Sequence, residues 1–262
     1  VVVDGLSFDL GAGEILGLVG ESGSGKTVTS LSLLGLLPAS GQVLAGRAML
    51  SGKDLCSIGE RELRAIRGHH IGYISQEPTA SLDPAFTIGS QLSEVLRLHC
   101  RSNSKAIRQE MVDLLARVRL PEPQQIMRSY PHELSGGMAQ RVCIALALAG
   151  NPRILIADEP TTALDVTVQA EILDLLRSLR ESQGLSIIFV THSLAVVADI
   201  CDRVVVMQRG RIIEQADVVK LFQRPEHDYT RALLAAAPSL LRPPCPEVPT
   251  AGQAPRQELP VG

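Results

Sequence analysis

Gly20-Glu21-Ser22-Gly23-Ser24-Gly25-Lys26-Thr27 decides the reading of this chain. It fits G-x-x-x-x-G-K-[ST] at every fixed position. The short apolar run Ile15–Val19 precedes it, and Val28–Leu36 after it predicts a helix that stops near Pro38. Strand, glycine loop, helix is the order that phosphate binding requires. The glycines let the backbone turn its N–H groups toward phosphate oxygens, and the helix N-terminus adds positive potential. Lys26 is placed to reach the β- and γ-phosphates, and the Thr27 hydroxyl is suited to ligate Mg²⁺. A plain Gly/Ser-rich surface turn would explain neither flank.

Outward from the loop, strand and helix textures alternate. Val1–Leu10 reads as a β-rich run, with Gly11-Ala12-Gly13 as a turn before Ile15. Residues 42–55 read as a strand and turn, and Ile71–Ser75 as a short strand. From about Ile88 to Val118 the apolar residues recur at helical spacing, so residues 77–150 are expected to be mostly helical. Strand texture returns at Ile154–Ala157, Ser186–Val190 and Arg203–Gln208, with helices expected at Val168–Glu181 and Leu194–Ile200. Such alternation predicts a parallel sheet covered on both faces, with the helical stretch as an insertion. Residues 238–262 hold seven prolines and are expected to form an extended tail without regular structure.

Composition narrows the class. Of 262 residues, 45 % are hydrophobic and 20 % charged, which excludes a disordered chain. The core must be aliphatic, because there is no Trp and only 3 Tyr and 4 Phe. A formal net charge of −3 gives no support for a nucleic-acid partner held by a basic face. The five cysteines are scattered with no C-x-x-C pair, against a disulfide framework or a structural zinc site, and point to a reducing cytosol. No apolar run approaches the roughly 18 residues of a membrane span. Val1-Val2-Val3-Asp4 is not a basic region ahead of an apolar one, so no signal peptide is expected.

Two further sites carry chemistry. Ile154-Leu155-Ile156-Ala157-Asp158-Glu159 is an apolar strand ending in two acids, at the strand end where α/β sheets bind ligands. Asp158 is suited to hold Mg²⁺, and Glu159 to polarise the water that attacks the γ-phosphate. Leu134-Ser135-Gly136-Gly137-Met138-Ala139-Gln140-Arg141 precedes a helical run. Ser135 is a good N-cap there, and Gly136 and Gly137 leave first-turn N–H groups open to an anion. By its own physics this segment is more readily an ordinary helix cap.

The order and spacing of these motifs carry a family resemblance. Ser135 lies 109 residues after Lys26, Asp158 another 23 on, Gln76 ends a strand between the first two motifs, and His192 lies 33 residues after Glu159. Over residues 1–237 this arrangement resembles the ATP-binding subunit of an ABC transporter. The resemblance implies a P-loop NTPase parallel-sheet core with an antiparallel β subdomain and an inserted α-helical subdomain. It divides the chain into an ATP-binding α/β core at 1–76 and 151–237, a helical signature subdomain at 77–150, and the tail at 238–262.

The same resemblance assigns roles. Gly20–Thr27, with Val28 after it, is the Walker A stretch. Gln76 is the Q-loop glutamine, touching Mg²⁺ and the membrane partner. Ser135, Gly136 and Gly137 are the signature that contacts the γ-phosphate of ATP held by the opposite subunit. Asp158 is the Walker B metal residue and Glu159 the catalytic base. Ala163-Leu164-Asp165 is the loop across the dimer interface, and His192 is the switch histidine. The implied ligands are ATP and Mg²⁺, with Thr27, Gln76 and Asp158 around the metal.

Gln76-Glu77-Pro78-Thr79-Ala80-Ser81-Leu82-Asp83-Pro84, Pro131-His132-Glu133 and the stretch Pro225–Leu234 are similar to the dipeptide, oligopeptide and nickel importer group. That likeness implies uptake of a peptide, or of nickel, at the cytoplasmic face of the cell membrane. The implied partners are a second, non-identical ATP-binding subunit, two transmembrane permease subunits and, indirectly, an external solute-binding protein. A non-transport ATPase of the same superfamily is the alternative. The family places an adenine-stacking aromatic upstream of the phosphate loop, where Phe8 is the one aromatic and reads as a core residue. Cys245 alone cannot hold a four-thiolate iron–sulfur cluster, so none is expected.

Overall fold

Ile15–Val19 is buried at all five positions because it is an interior strand of a mostly parallel sheet, with parallel neighbours on both edges and both faces covered. A computed structural model describes residues 2–99 and 103–236. The expected Pro-rich tail and Cys245 lie outside the described residues.

In chain order, β1 (Ile15–Val19) leads through the glycine loop into α1 (Lys26–Leu33). A hairpin of β2 (Met49–Leu50) and β3 (Lys53–Asp54) follows, then α2 (Glu60–Ile66) and β4 (Ile71–Ile74). Helices α3 (Pro78–Ser81), α4 (Ile88–His99), α5 (Ser104–Arg117) and α6 (Pro123–Ile126), a 3-10 turn at Pro131–Glu133 and α7 (Gly136–Leu148) come next. The chain returns through β5 (Ile154–Asp158), α8 (Val166–Gln183), β6 (Ser186–Thr191), α9 (Leu194–Ile200) and β7 (Arg203–Gln208). It closes with β8 (Arg211–Asp217), α10 (Val218–Gln223) and α11 (Asp228–Ala235).

The main sheet runs β4-β5-β6-β1-β7-β8, parallel except for β8, which is antiparallel to β7. Alternation along its strands sends side chains to two different cores. Leu155, Ala157, Ile187 and Phe189 join a cluster with Leu92 and Leu96 of α4, Leu114 of α5, Ile144 of α7 and Ile172 of α8. Ile156, Ile188 and Val190 face the other way, onto Leu34, Leu55 and Ile66. A third cluster gathers Val19, Val197, Val204 and Val206 under Leu221 and Leu234.

Register aligns the carboxyl ends of the strands. Val19 pairs with Thr191, Asp158 with Val190, and Ile74 with Ala157. The glycine loop, Asp158-Glu159, His192 and Gln76 therefore leave the sheet along one edge.

The expected run at Val1–Leu10 is not a strand over its described residues. Leu6, Phe8 and Leu10 pack on the second cluster, but the segment meets its neighbours by single contacts, such as Asp4 N–H to Gly210 O at 2.8 Å, and has no ladder. Apolar alternation alone does not make a strand without a partner edge. Helix α1 ends at Leu33, short of the expected Leu36, and β8, α2, α10 and α11 were not anticipated.

Candidate functional site

The phosphate loop is built by close approach. A Cβ on Gly20 would sit 2.2 Å from the carbonyl oxygen of Met207, so only glycine passes under β7 there. Gly25 caps α1 in the left-handed region at φ 101°, where a side chain would strain the backbone and strike Val3. Lys26 is buried, and its ammonium donates to Gly20 O at 2.7 Å and Glu21 O at 2.9 Å. Burial lowers its pKa below the usual 10.5, against the opposing pull of Glu159 and Asp158. Ser24 is buried, while Glu21, Ser22, Gly23 and Thr27 are exposed and Val28 is half-buried.

Asp158 ends β5 with no exposed surface. Its two oxygens accept from different elements: Oδ1 from the Thr27 hydroxyl at 3.3 Å and Oδ2 from the Tyr73 hydroxyl at 3.1 Å. Burial pushes its carboxyl above the usual 3.8, and those two hydrogen bonds work against that rise. Thr27, Tyr73, Gln76 and Asp158 line a cleft of about 290 Å³.

Glu159 sits in the left-handed region at φ 48°, held by its N–H to Val190 O at 2.9 Å. A non-glycine residue in that conformation is costly and is kept by its surroundings. Its Oε2 accepts from Thr162 Oγ1 at 2.8 Å and Gln76 Nε2 at 3.3 Å, and faces His192 Nδ1 at 3.3 Å. Gln76, Glu159 and His192 are thus gathered around one carboxylate oxygen, beside the loop.

Ser135, Gly136 and Gly137 stand apart. Ser135 caps α7 by accepting from Met138 N–H at 3.4 Å, and Ser135 and Gly136 are exposed. Their neighbours are Leu164 and Val168 of their own chain, and a Cβ on Gly137 would fall 2.6 Å from Val168 Cγ1. The structure does not bring them to the phosphate loop of the same chain.

Three contacts were not read from the sequence: Tyr73 on Asp158, Thr162 on Glu159, and the Tyr229 hydroxyl accepting from Glu21 N–H at 3.2 Å. Tyr73 looked like one more strand residue and Thr162 like a loop residue. The partner of Tyr229 lies 208 positions away.

Similarity to known proteins agrees with this geometry. The ABC transporter family matches residues 3–162. The chain is 47 % identical to a probable peptide ABC transporter ATP-binding protein of Sinorhizobium fredii, over 91 % of this chain and 71 % of that one. It is 48 % identical to the dipeptide transport ATP-binding protein DppD of Bacillus subtilis, with the same shares of both chains. It is 52 % identical to a peptidoglycan transport ATP-binding protein of Agrobacterium fabrum, of which it spans 44 %.

Among solved structures, the ATP-binding cassette MJ0796 in a dimeric post-hydrolysis state with ADP and phosphate superposes with a TM-score of 0.72. It is 28 % identical, over 83 % of this chain and 90 % of that one. The cbiO1 protein of Clostridium perfringens, part of an ABC transporter complex, superposes with a TM-score of 0.75 at 26 % identity, over 91 % and 90 %. The chain belongs to the ABC transporter family, as one of its ATP-hydrolysing cassettes.

Proposed function

We propose that this chain powers peptide uptake, hydrolysing ATP at a head-to-tail interface with a second cassette. One observation carries the reading. Gln76, Glu159 and His192 converge beside the phosphate loop, while Ser135 and Gly136 are exposed at the start of α7, with Leu164 next to Gly136 and Val168 next to Gly137. One chain supplies only one side of a γ-phosphate, and the exposed Ser135 and Gly136 at the start of α7 suit the other side of a neighbour's.

Lys26 and the loop N–H groups bind and orient the phosphates. Glu159 takes the proton of the attacking water as the new P–O bond forms and the bond to the β–γ bridging oxygen breaks, releasing ADP and phosphate. His192 and Gln76 hold that carboxylate and the γ-phosphate side in register. The donors Thr27 Oγ1, Asp158 and Gln76 are hard oxygens facing one cleft, a set that fits Mg²⁺. When bound, the ion neutralises charge on the β- and γ-oxygens.

Peptide is favoured over nickel as solute because the relatives are named for peptide and dipeptide transport. No helix among the described residues is long and apolar enough to cross a membrane. Two permease subunits would then provide the path, with the chain at the cytoplasmic face, paired with a non-identical cassette and served by an external solute-binding protein. The test is ATPase rate against protein concentration, alone and with co-expressed partners. A steeper than linear rise, or activity only with partners, is expected. Strict proportionality in a proven monomer would overturn the shared site.

A further inference from the structure

The stretch Pro225–Leu234 has no part in the chemistry above, yet it is anchored with unusual care. The Glu214 carboxylate, on β8, accepts the backbone N–H of Glu226 at 2.8 Å and of His227 at 3.1 Å. Arg231 Nη1 donates to the carbonyls of Pro225 and Glu226, both at 2.9 Å. His227 Nδ1 accepts from Tyr229 N–H at 3.1 Å and so starts α11. Leu234 is buried in the third core cluster, beside Val19 of β1, and Tyr229 and Leu233 pack against it. Polar and apolar contacts together fix where the Tyr229 ring can reach.

It reaches the phosphate loop. The Tyr229 oxygen accepts the N–H of Glu21, the residue that follows the close passage at Gly20. Three residues on, Ser24 O accepts from Gly210 N–H at 2.9 Å, in the turn between β7 and β8. The loop is therefore held at positions 21 and 24 from outside, by the last third of the chain. Glu21 N–H is engaged by the phenol, and Glu21 O in turn accepts from Ser24 N–H at 3.1 Å and from the Lys26 ammonium at 2.9 Å, so the phenol is tied to the turn that precedes α1.

We propose that Tyr229 is a positioning residue for ATP, holding the first turn of the phosphate loop in its binding conformation. This rests on the reading that Gly20–Thr27 binds the phosphates of ATP. A loop ordered before binding loses less conformational entropy when ligand arrives, so affinity is the quantity that responds.

Tyr229→Phe in the full chain removes one oxygen and keeps the ring in its apolar contact. Binding of a fluorescent ATP analogue, deuterium exchange of residues 20–27 without nucleotide, and steady-state kinetics are measured. Expected are an analogue Kd raised about two- to tenfold, the scale of one neutral hydrogen bond, and faster exchange confined to 20–27. KM should rise more than kcat falls. Wild-type binding and exchange would overturn the assignment, as would faster exchange across the whole chain with a lowered Tm, which marks a purely structural role. Lys26→Ala is measured in parallel. If it binds the analogue like wild type, the phosphate-loop reading itself fails. If it loses binding while Tyr229→Phe does not, only the Tyr229 assignment fails.

Discussion

Thr162 Oγ1 donates a 2.8 Å hydrogen bond to Glu159 Oε2, the shortest of the contacts to that oxygen. Glu159 carries an unfavourable backbone conformation, and Thr162 lies next to Ala163, which has positive φ as well. A loop at the expected cassette interface is thereby tied to the carboxylate expected to take the proton. Thr162→Ala should lower kcat about tenfold, the scale of one hydrogen bond to a charged group, and leave ATP affinity near wild type. Thr162→Ser should restore most of the rate. Equal kcat in wild type and Thr162→Ala would show that the bond does not position Glu159.

Replacing the carboxylate itself separates binding from turnover. Glu159→Gln keeps the size of the side chain and its contact with Thr162, but cannot accept a proton from water. ATP binding should persist, turnover should fall by at least about a hundredfold, and ATP-bound dimer should accumulate. Light scattering with and without ATP reads the last effect. Turnover like wild type would remove Glu159 from its role.

Tyr73 supplies one of the two hydroxyls on the buried Asp158 carboxylate. Without it, the Asp158 carboxylate loses part of its orientation. Tyr73→Phe should raise the Mg²⁺ concentration for half-maximal binding of an ATP analogue by roughly tenfold, as partners of metal ligands do elsewhere. Metal-free binding of the analogue should change little. An unshifted Mg²⁺ titration would reduce Tyr73 to a packing residue.

A histidine group at the junction of α2, β4 and α4 should make stability decline in acid. The His69 and His99 rings stack at 6.4 Å, and His69 meets His70 edge-on at 5.2 Å. Burial, then His69, holds His99 below its usual 6.5. Burial, then His69, Arg153 and Lys53, does the same for His70. Below about pH 6.5 the unfolded chain takes up protons that the folded chain resists. The unfolded state then binds more protons, so stability falls as pH drops through that value toward the lower folded pKa. His99→Asn should flatten the decline in Tm between about pH 7 and 5. A slope identical to wild type would discount the cluster.

Much of this was legible in the chain. The observed β7 and α9 have the ends expected from their apolar spacing, and β5 and β6 exceed expectation by one residue each. The strands are legible because burial on both faces leaves unbroken apolar runs, and α9 because its buried Leu194, Val196, Val197 and Ile200 recur at helical spacing. Arg211–Asp217 escaped notice because its burial is broken, with Glu214 as the buried member; its strand form comes from pairing with β7. Val1–Leu10 failed in the opposite direction: its residues are strand-like, but over 2–10 they meet neighbours by single contacts and not by a ladder.

By itself the sequence located the parts of the proposed nucleotide site: the Gly20–Thr27 loop, the acids Asp158 and Glu159 at a strand end, and the order of Gln76, Ser135 and His192. These depend on local backbone geometry, which a few adjacent residues impose. Only the tertiary structure decided which groups meet. Strand register set Gln76 and His192 on one oxygen of Glu159, a buried aspartate received its second hydroxyl from Tyr73, and a C-terminal helix put Tyr229 on Glu21. Those contacts join residues up to 208 positions apart, and no local preference of the chain encodes them. They follow from how the strands pair and how the apolar faces are buried.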